Sequence, residues 1–155
     1  MEELLKLLKE KHLTLGSVES MTGGMFASCF TSIPGASYVY KGSLITYCIE
    51  EKIKLAGVKK EIIDKYSVVS EEVSKEMAKG GKNVLNVDIC VSVTGNAGPT
   101  SDVGGKPVGE VHIAVAYKDK IFYKKLNLKG DRNHIRSMCV NEMVSFVLLC
   151  LTNKA

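Results

Sequence analysis

Hydroxyl side chains and two glycines lie together in the stretch VESMTGGMF, residues 18–26. Here an apolar, strand-like segment ends and a helical segment begins. Glycines let a backbone approach a ligand closely, and the amides at a helix start suit a phosphate or carboxylate. The pattern therefore makes Ser20, Thr22, Gly23 and Gly24 candidates for a reaction or binding site. The alternative is that Ser20 or Thr22 only caps the helix.

A second hydroxyl-rich turn precedes a lysine in PGASYVYKGSLITYCIEEK, residues 34–52. Ser37 comes before a predicted strand, Tyr47 ends that strand, and Lys52 lies one helical turn beyond. Serine is a poor nucleophile at neutral pH unless a base takes its proton. A neutral lysine can be that base when burial or nearby cations lower its pKa, and a tyrosine hydroxyl can relay the proton. By spacing alone, such a triplet can also be incidental.

Two further loops carry glycine beside polar side chains. TGNAGP, followed by TSDVGGKPVG, forms a long loop between two predicted strands. Long loops in compact domains are often functional, although a plain connector also fits. KGDRNHIR begins the last helix, where an arginine can bind a phosphate through two hydrogen bonds or can simply be solvated. These loops add the following candidates for substrate contact: Thr94, Gly95, Asn96, Ala97, Gly98 and Arg132.

The elements that must position these loops alternate between helical and strand patterns. Leucines at positions 4, 5, 7 and 8 mark an amphipathic helix, LTLGSVES and GSLITYC predict strands, and EEKIKLAG and KEIIDKYS predict short helices. Ser70 begins a longer helix. VDICVSVTG is a continuous apolar run, typical of a strand covered on both faces. GEVHIAVAY and KIFYKKLNL predict a hairpin, and an apolar stripe from Ile135 to Leu151 predicts a closing helix capped by Asp131.

This order of elements predicts an α/β fold, a three-layer α/β/α sandwich around a mixed β-sheet. In such a sheet, sites gather at strand ends, where loops meet helix starts. The length suits a single domain over residues 1–155. Apolar and charged fractions of 45% and 25% fit a packed, soluble core.

Composition also limits the partners. No uninterrupted apolar stretch approaches the roughly 20 residues of a membrane span, and the charged amphipathic start is unlike a leader peptide. We therefore expect a cytoplasmic protein without a membrane partner. A net charge of +4 is too small to argue for nucleic acid, although it suits an anionic small substrate.

The five cysteines show no CxxC spacing, and the three histidines show no HxxxH or HExxH pattern. We therefore expect no metal site and no cofactor. Most of the cysteines sit in apolar company, which predicts buried, reduced thiols. Cys48 alone, beside candidate site residues, is of further interest.

Six blocks occur in a fixed order along the chain: ESMTGG, PGAS followed by TYCIEEK, VSEEV, VTGNAGP, KPVGEVHIA and GDR. From about Leu13 to Leu151 they resemble the family of CinA C-terminal domains, the nicotinamide-nucleotide amidases also called PncC. The resemblance implies metal-independent hydrolysis of nicotinamide mononucleotide (NMN) to nicotinic acid mononucleotide and ammonia, in pyridine nucleotide salvage. It also implies an α/β/α fold, a homo-oligomer of two or more copies, and the stand-alone form of the family.

The resemblance also assigns roles. Ser37 matches the catalytic serine of the family, Lys52 its paired lysine, and Tyr47 the tyrosine of the same centre. Ser20 matches a second active-site serine, and Thr94 and Arg132 match positions that contact substrate. We therefore expect folding to bring the hydroxyl of Ser37 within reach of an uncharged Lys52.

The chemistry of the residues agrees with these roles. Amide hydrolysis needs an activated nucleophile, a donor to the developing oxyanion, and an acid for the departing ammonia. We expect Ser20 to lie in the reaction pocket and Thr22, Gly23 and Gly24 to form its backbone wall.

Several positions depart from the family pattern. Cys48 and Ile49 replace the serine and asparagine of the usual YSNE, Asn96 replaces an apolar residue of TGIAGP, and TSDVGG differs from the usual loop. The proposed catalytic residues are intact, so we expect activity, with substrate preference and rate left open. The alternative is a catalytically weak or inactive nucleotide-binding module. A DNA-associated role, which the historical name of the family suggests, is not supported by any basic stripe with interleaved aromatics.

Overall fold

The structure, a computed structural model, describes residues 1–101 and 104–152. Asp102 and Val103, in the TSDVGG stretch, and residues 153–155 lie outside the described residues. The described chain contains a 3-10 helix over Ala36–Tyr38. Its helices and strands are, in chain order, α1 Glu2–Glu10, β1 Leu15–Glu19, α2 Met25–Thr31, β2 Tyr40–Ile45, α3 Ile49–Ala56, α4 Lys60–Tyr66, α5 Glu71–Leu85, β3 Ile89–Gly95, β4 Glu110–Tyr117, β5 Lys120–Asn127 and α6 Arg132–Leu151.

The strands form one sheet in the order β2-β1-β3-β4-β5. β1 pairs in parallel with both β2 and β3. β4 pairs antiparallel with β3 and with β5, so the predicted hairpin is confirmed. Because β1, β2 and β3 run in the same direction, their carboxyl ends meet at one edge of the sheet.

Helices cover both faces of the sheet. On one face, α1, α2 and α6 pack over a core that includes Leu15, Val91 and Ile113. On the other face, α3, α4 and α5 pack over Val18 and its neighbours. The predicted three-layer α/β/α sandwich around a mixed sheet is therefore confirmed.

Two adjacent glycines set how closely α5 approaches its neighbours. A Cβ atom on Gly80 would lie 1.6 Å from the carbonyl oxygen of Ala56, the last residue of α3. A Cβ atom on Gly81 would lie 2.2 Å from Cγ2 of Val18 in β1. The absence of side chains here lets α5 hold α3 against the sheet, which matters because α3 carries Lys52.

The N-caps that the sequence predicts for two helices are confirmed. The hydroxyl of Ser70 accepts from the N–H of Val73 at 3.3 Å, and the carboxylate of Asp131 accepts from the N–H of His134 at 2.9 Å.

α6, which Asp131 caps, is the one described helix long and apolar enough to cross a membrane by length and composition. Half of that stretch is buried in the domain, so core packing accounts for its apolar character.

The cysteines divide into two groups. Cys90, Cys139 and Cys150 are buried, and burial raises the pKa of each thiol. Cys29 and Cys48 are exposed, so the prediction of a buried thiol is wrong for Cys29, which lies on the outer face of α2. Among the described residues, no group of three or more His, Cys, Asp or Glu side chains could hold a metal ion.

Candidate active site

A cavity of about 440 Å³ opens at the edge of the sheet where β1, β2 and β3 end. Its walls come from the end of β3, from the turns that follow the three strands, from the first turn of α3, from the segment between α4 and α5, and from the first residue of α6. Six of the polar side chains that line it are Ser20, Tyr47, Lys52, Thr94, Asn96 and Arg132. All six were candidates from the sequence.

Ser20 and Lys52 form the closest reactive pair in this cavity. The Nζ atom of Lys52 lies 3.0 Å from Oγ of Ser20 and 2.7 Å from the carbonyl oxygen of Thr46. The lysine is only 2% exposed and the serine 7%. Burial lowers the pKa of Lys52 to about 8, and Cys48 opposes part of that shift. Roughly one amine in ten is then neutral at pH 7 and can take a proton from the hydroxyl.

The position of Ser20 is fixed by the residue before it. Glu19 is fully buried, and its carboxylate accepts from the backbone N–H groups of Gly24, Phe26 and Ala27 at 3.0, 3.1 and 3.0 Å. This carboxylate joins the end of β1 to the start of α2, where the positive end of the helix favours an anion. Glu19 was not among the sequence candidates, although the available signal was an acid at the end of a predicted strand, four residues before the Gly23–Gly24 pair.

The turn after Ser20 differs from the prediction. Ser20 and Thr22 do not cap α2, whose N-cap is Gly24 without a side-chain hydrogen bond. Thr22, Gly23 and Gly24 are not among the residues that line the cavity; Met21 forms that wall together with Ser20. The predicted backbone wall is therefore wrong for these three positions, because the turn folds toward α6 after Met21.

Arg132, the first residue of α6, lies at the mouth of the cavity. Its Nη1 donates to the carbonyl oxygen of Gly98 at 2.6 Å, and its Nη2 donates to the hydroxyl of Tyr47 at 3.2 Å. Tyr47 is 63% exposed, so its ring lies at the rim and not inside. A guanidinium has five N–H donors, which leaves Arg132 able to bind an anion as well.

The glycine-rich loop supplies the opposite wall. The hydroxyl of Thr94 donates to the carbonyl oxygen of Val68 at 2.8 Å. The side-chain N–H groups of Asn96 donate to the carbonyl oxygens of Thr100 and Lys106 at 3.0 and 3.1 Å. Its Oδ1 accepts from the N–H of Gly98 at 2.9 Å. Asn96 therefore braces the loop, while the neighbouring residues that line the cavity are Gly95 and Ala97 but not Gly98.

Ser37 does not meet Lys52 within one chain. Ser37 lies on the 3-10 helix before β2, whereas Lys52 follows β2. That strand spans about 17 Å. Ser37 lines a separate cavity of about 490 Å³ beside α2 and is absent from the walls of the Ser20–Lys52 cavity. The prediction of a Ser37–Lys52 pair inside the chain is therefore wrong, because the two residues lie at opposite ends of one strand.

Three of the departures from the family pattern, one of them Asn96, lie in the cavity wall. Cys48 and Ile49 both line it, at the start of α3. Glu50, Val68 and Val69 also line it and were not sequence candidates. The valines follow α4, and Val69 begins the VSEEV block of the family resemblance, but neither carries a polar group that would have marked a site.

The fold and the cavity together define a small α/β/α protein with a buried serine–lysine pair at the carboxyl edge of its parallel strands. The family model of the CinA C-terminal domain matches residues 1–151, and the chain belongs to this family. It is 48% identical over 133 residues to a CinA-like protein of Petrotoga mobilis, covering 86% of this chain and 33% of that protein. It is 41% identical over 146 residues to a putative competence-damage inducible protein of Thermoanaerobacter pseudethanolicus, covering 94% of this chain and 35% of that protein.

Solved structures of the superfamily share the fold. A CinA superfamily protein of Escherichia coli has a TM-score of 0.92 and 28% identity, covering 94% of this chain and 85% of that one. The competence/damage inducible protein CihA of Agrobacterium tumefaciens has a TM-score of 0.88 and 29% identity, covering 97% and 94%. The chain spans about a third of the length of the curated relatives it matches.

Proposed function

We propose that this protein is an amidohydrolase that converts NMN to nicotinic acid mononucleotide and ammonia, with Ser20 as nucleophile and Lys52 as base. One observation carries the proposal: a buried amine whose pKa is lowered to about 8 lies 3.0 Å from a serine hydroxyl inside an open cavity. A serine activated by a neutral lysine is suited to acyl transfer. The resemblance of the sequence to nicotinamide-nucleotide amidases supports the choice of substrate.

The reaction proceeds in two acyl transfers. Neutral Lys52 takes the hydroxyl proton as Oγ of Ser20 attacks the carboxamide carbon. The lysine then returns that proton to the amide nitrogen, the C–N bond breaks, and ammonia leaves an ester on Ser20. Water attacks this ester while Lys52 takes one of its protons. The ester C–O bond breaks, Oγ regains that proton from Lys52, and the acid leaves as a carboxylate after losing the second proton of the water to solvent.

The rim of the cavity suits the phosphate of the substrate. Among the described residues, Arg132 donates only to Gly98 and Tyr47, which leaves N–H groups for a ligand, and a guanidinium binds phosphate by paired hydrogen bonds. The volume of about 440 Å³ lies in the range typical of small-molecule sites, roughly 300–1,000 Å³. The carboxamide would then lie deeper, beside Ser20.

An ammonia assay on the purified protein tests the proposal, with NMN compared against nicotinamide riboside and nicotinamide. We expect release from NMN and much less from the two compounds without phosphate. Ser20→Ala and Lys52→Met should each lower kcat by about a thousandfold or more. The matched controls Ser28→Ala and Lys54→Met, both exposed on helices of the same domain, should keep wild-type activity.

The same assay separates the alternative of a nucleotide-binding module. Tight NMN binding by calorimetry with no ammonia from the wild-type protein would remove the amidase proposal. Equal activity of Ser20→Ala and the wild type would keep the reaction but remove Ser20 as nucleophile.

A further inference from the structure

Arg136, in the second turn of α6, binds the turn that follows Ser20. Its Nε donates to the carbonyl oxygen of Met21 at 3.0 Å, and its Nη2 donates to that of Thr22 at 3.0 Å. Its Nη1 lies 3.3 Å from Oδ1 of Asn133. The guanidinium therefore holds the first two carbonyl groups after the proposed nucleophile in one planar fork.

This fork fixes the direction of an N–H group. A peptide unit is planar and trans, so the N–H of Thr22 points opposite to the carbonyl of Met21 and thus away from Arg136. Among the described residues, no acceptor takes this N–H. The next N–H, of Gly23, is already bound to the carbonyl oxygen of Ser20 at 3.0 Å. The peptide that carries the N–H of Thr22 begins at Met21, which lines the cavity beside Ser20, although Thr22 itself is not part of the wall.

We propose that Arg136 is a positioning residue that aims the N–H of Thr22 at the oxyanion formed when Ser20 attacks a carbonyl group. This inference rests on the proposed acyl transfer, and it adds the donor that the Ser20–Lys52 pair lacks. A preorganised backbone donor stabilises charge that develops in the transition state. The positive guanidinium on the carbonyl side also polarises the peptide, which makes its N–H a stronger donor.

A purely structural role for Arg136 is the competing explanation. Glu19 already holds this turn to α2 through three backbone N–H groups. Removal of Arg136 therefore leaves the turn attached while its first peptide becomes free to rotate. Variants at this position should fold, and their defect should lie in the chemical step.

The test uses Arg136→Met, which removes the fork, and Arg136→Lys, which keeps the charge but not the planar geometry. We expect kcat for NMN to fall about a hundredfold in Arg136→Met, as for loss of one oxyanion donor, and about tenfold or more in Arg136→Lys. KM should stay within about threefold, and the pH midpoint of kcat/KM should stay at the wild-type value. Asn133→Ala removes the third contact of the guanidinium but not the fork, and should keep wild-type kcat.

A substrate-independent probe separates this inference from the proposed substrate. A fluorophosphonate should phosphonylate Oγ of Ser20 with loss of fluoride, detected as a mass increase on that residue, and Arg136→Met should slow this labelling about as much as it slows kcat. If wild-type protein labels at Ser20 but releases no ammonia from NMN, the substrate proposal fails and the inference stands. Wild-type rates of labelling in both Arg136 variants, or no labelling of Ser20 in the wild type, would overturn it.

Discussion

Lys52 is a buried amine without a compensating acid. It is 2% exposed, and among the described residues no carboxylate forms an ion pair with it. Burial of an unpaired charge is costly, and the usual relief is a shift of the pKa toward the neutral form. The pKa lowered to about 8 is that relief. A group with a strongly shifted pKa inside an open cavity is a candidate for a functional site.

The first prediction concerns the pH dependence of the reaction. The base must be neutral, and Lys52 is protonated below its pKa of about 8. We therefore expect kcat/KM for NMN to rise about tenfold per pH unit below that value and to level off above it. Ammonia release measured between about pH 6 and 9.5 gives the profile. Lys54→Met should show the same midpoint, whereas a flat profile or one that falls across this range would exclude Lys52 as base.

Individual residues also show how far sequence reasoning reaches. Ser20, Lys52 and Arg132 were chosen from their types and from the resemblance, and the structure gathers all three around one cavity. Arg136 was not chosen, because its contacts to the turn join positions more than a hundred residues apart. No local pattern encodes such a contact. The direction of a peptide N–H is likewise a property of the folded backbone alone.

At the scale of elements, strand direction explains why most of the predicted site residues meet at one cavity and why Ser37 does not. Segments that follow β1, β2 and β3 meet because the three strands are parallel and end at one edge. Ser37 precedes β2 and so lies at the opposite, amino-terminal end of the parallel strands, although it is only 15 positions from Lys52 in the sequence. The spacing of Ser37, Tyr47 and Lys52 suggested a cluster, but a strand lies between the first and the other two. Strand order and direction, not spacing, decide which residues meet.

The second prediction concerns the packing of α5 on α3. In an exposed helix, Gly→Ala would add about 1 kcal/mol of stability. At Gly80 the new methyl group would overlap the carbonyl oxygen of Ala56 at 1.6 Å, and overpacking costs about 1–3 kcal/mol or more. We therefore expect Gly80→Ala to lower the free energy of unfolding by about 2 kcal/mol. Urea denaturation measures this change, with Lys79→Ala on the exposed side of α5 as the control.

Gly80→Ala should also lower the activity of the candidate active site. Ala56 lies one helical turn after Lys52, so a displaced α3 would move Nζ away from Ser20. Misplacement of a catalytic group by about 1 Å can cost about a hundredfold in rate. We expect kcat to fall at least tenfold in folded Gly80→Ala protein, measured well below its melting temperature. Wild-type kcat together with wild-type stability would show that α3 accommodates the methyl group without moving.

At the scale of the whole molecule, the two outermost strands of the sheet, β2 and β5, each have one side on which no strand of the same chain pairs. These two sides, the β2 edge and the β5 edge, differ. The β5 edge carries Lys120, Lys124 and Lys125, the last two paired with Glu142 and Glu110, and lysines on an edge strand discourage pairing with another strand. The β2 edge has a single lysine, Lys41, and a Cβ atom added at its central Gly42 would meet nothing within 4 Å. Apolar side chains are exposed at both ends of this edge: Tyr38 at 78%, Ile45 at 41% and Tyr47 at 63%. This edge is therefore the better candidate for contact between copies.

We propose that the homo-oligomer expected from the family resemblance forms by antiparallel pairing of two β2 edges. A twofold axis near Gly42 would place position 37 of one copy opposite position 47 of the other, because the two are equally far from 42 in sequence. It would also bring Lys9, whose Nζ lies 5.2 Å from the ring centre of Tyr38, toward Glu50 of the other copy, because position 50 would lie opposite position 34. In such a dimer Ser37 approaches the cavity of the second copy, at the rim that Tyr47 forms.

The third prediction is complementation between two variants of this dimer. Ser37→Ala should lower kcat/KM about tenfold or more, since a hydroxyl is lost at the rim, and Lys52→Met should be inactive. In a mixed dimer, one cavity keeps its own Lys52 and receives Ser37 from the other copy. After subunit exchange, an equal mixture should therefore regain activity equal to about a quarter of the wild-type sites. A mixture of Ser20→Ala with Lys52→Met should regain no activity, because Ser20 and Lys52 act within one chain. No recovery of activity in the mixture of Ser37→Ala with Lys52→Met, or a monomer by light scattering, would exclude this dimer.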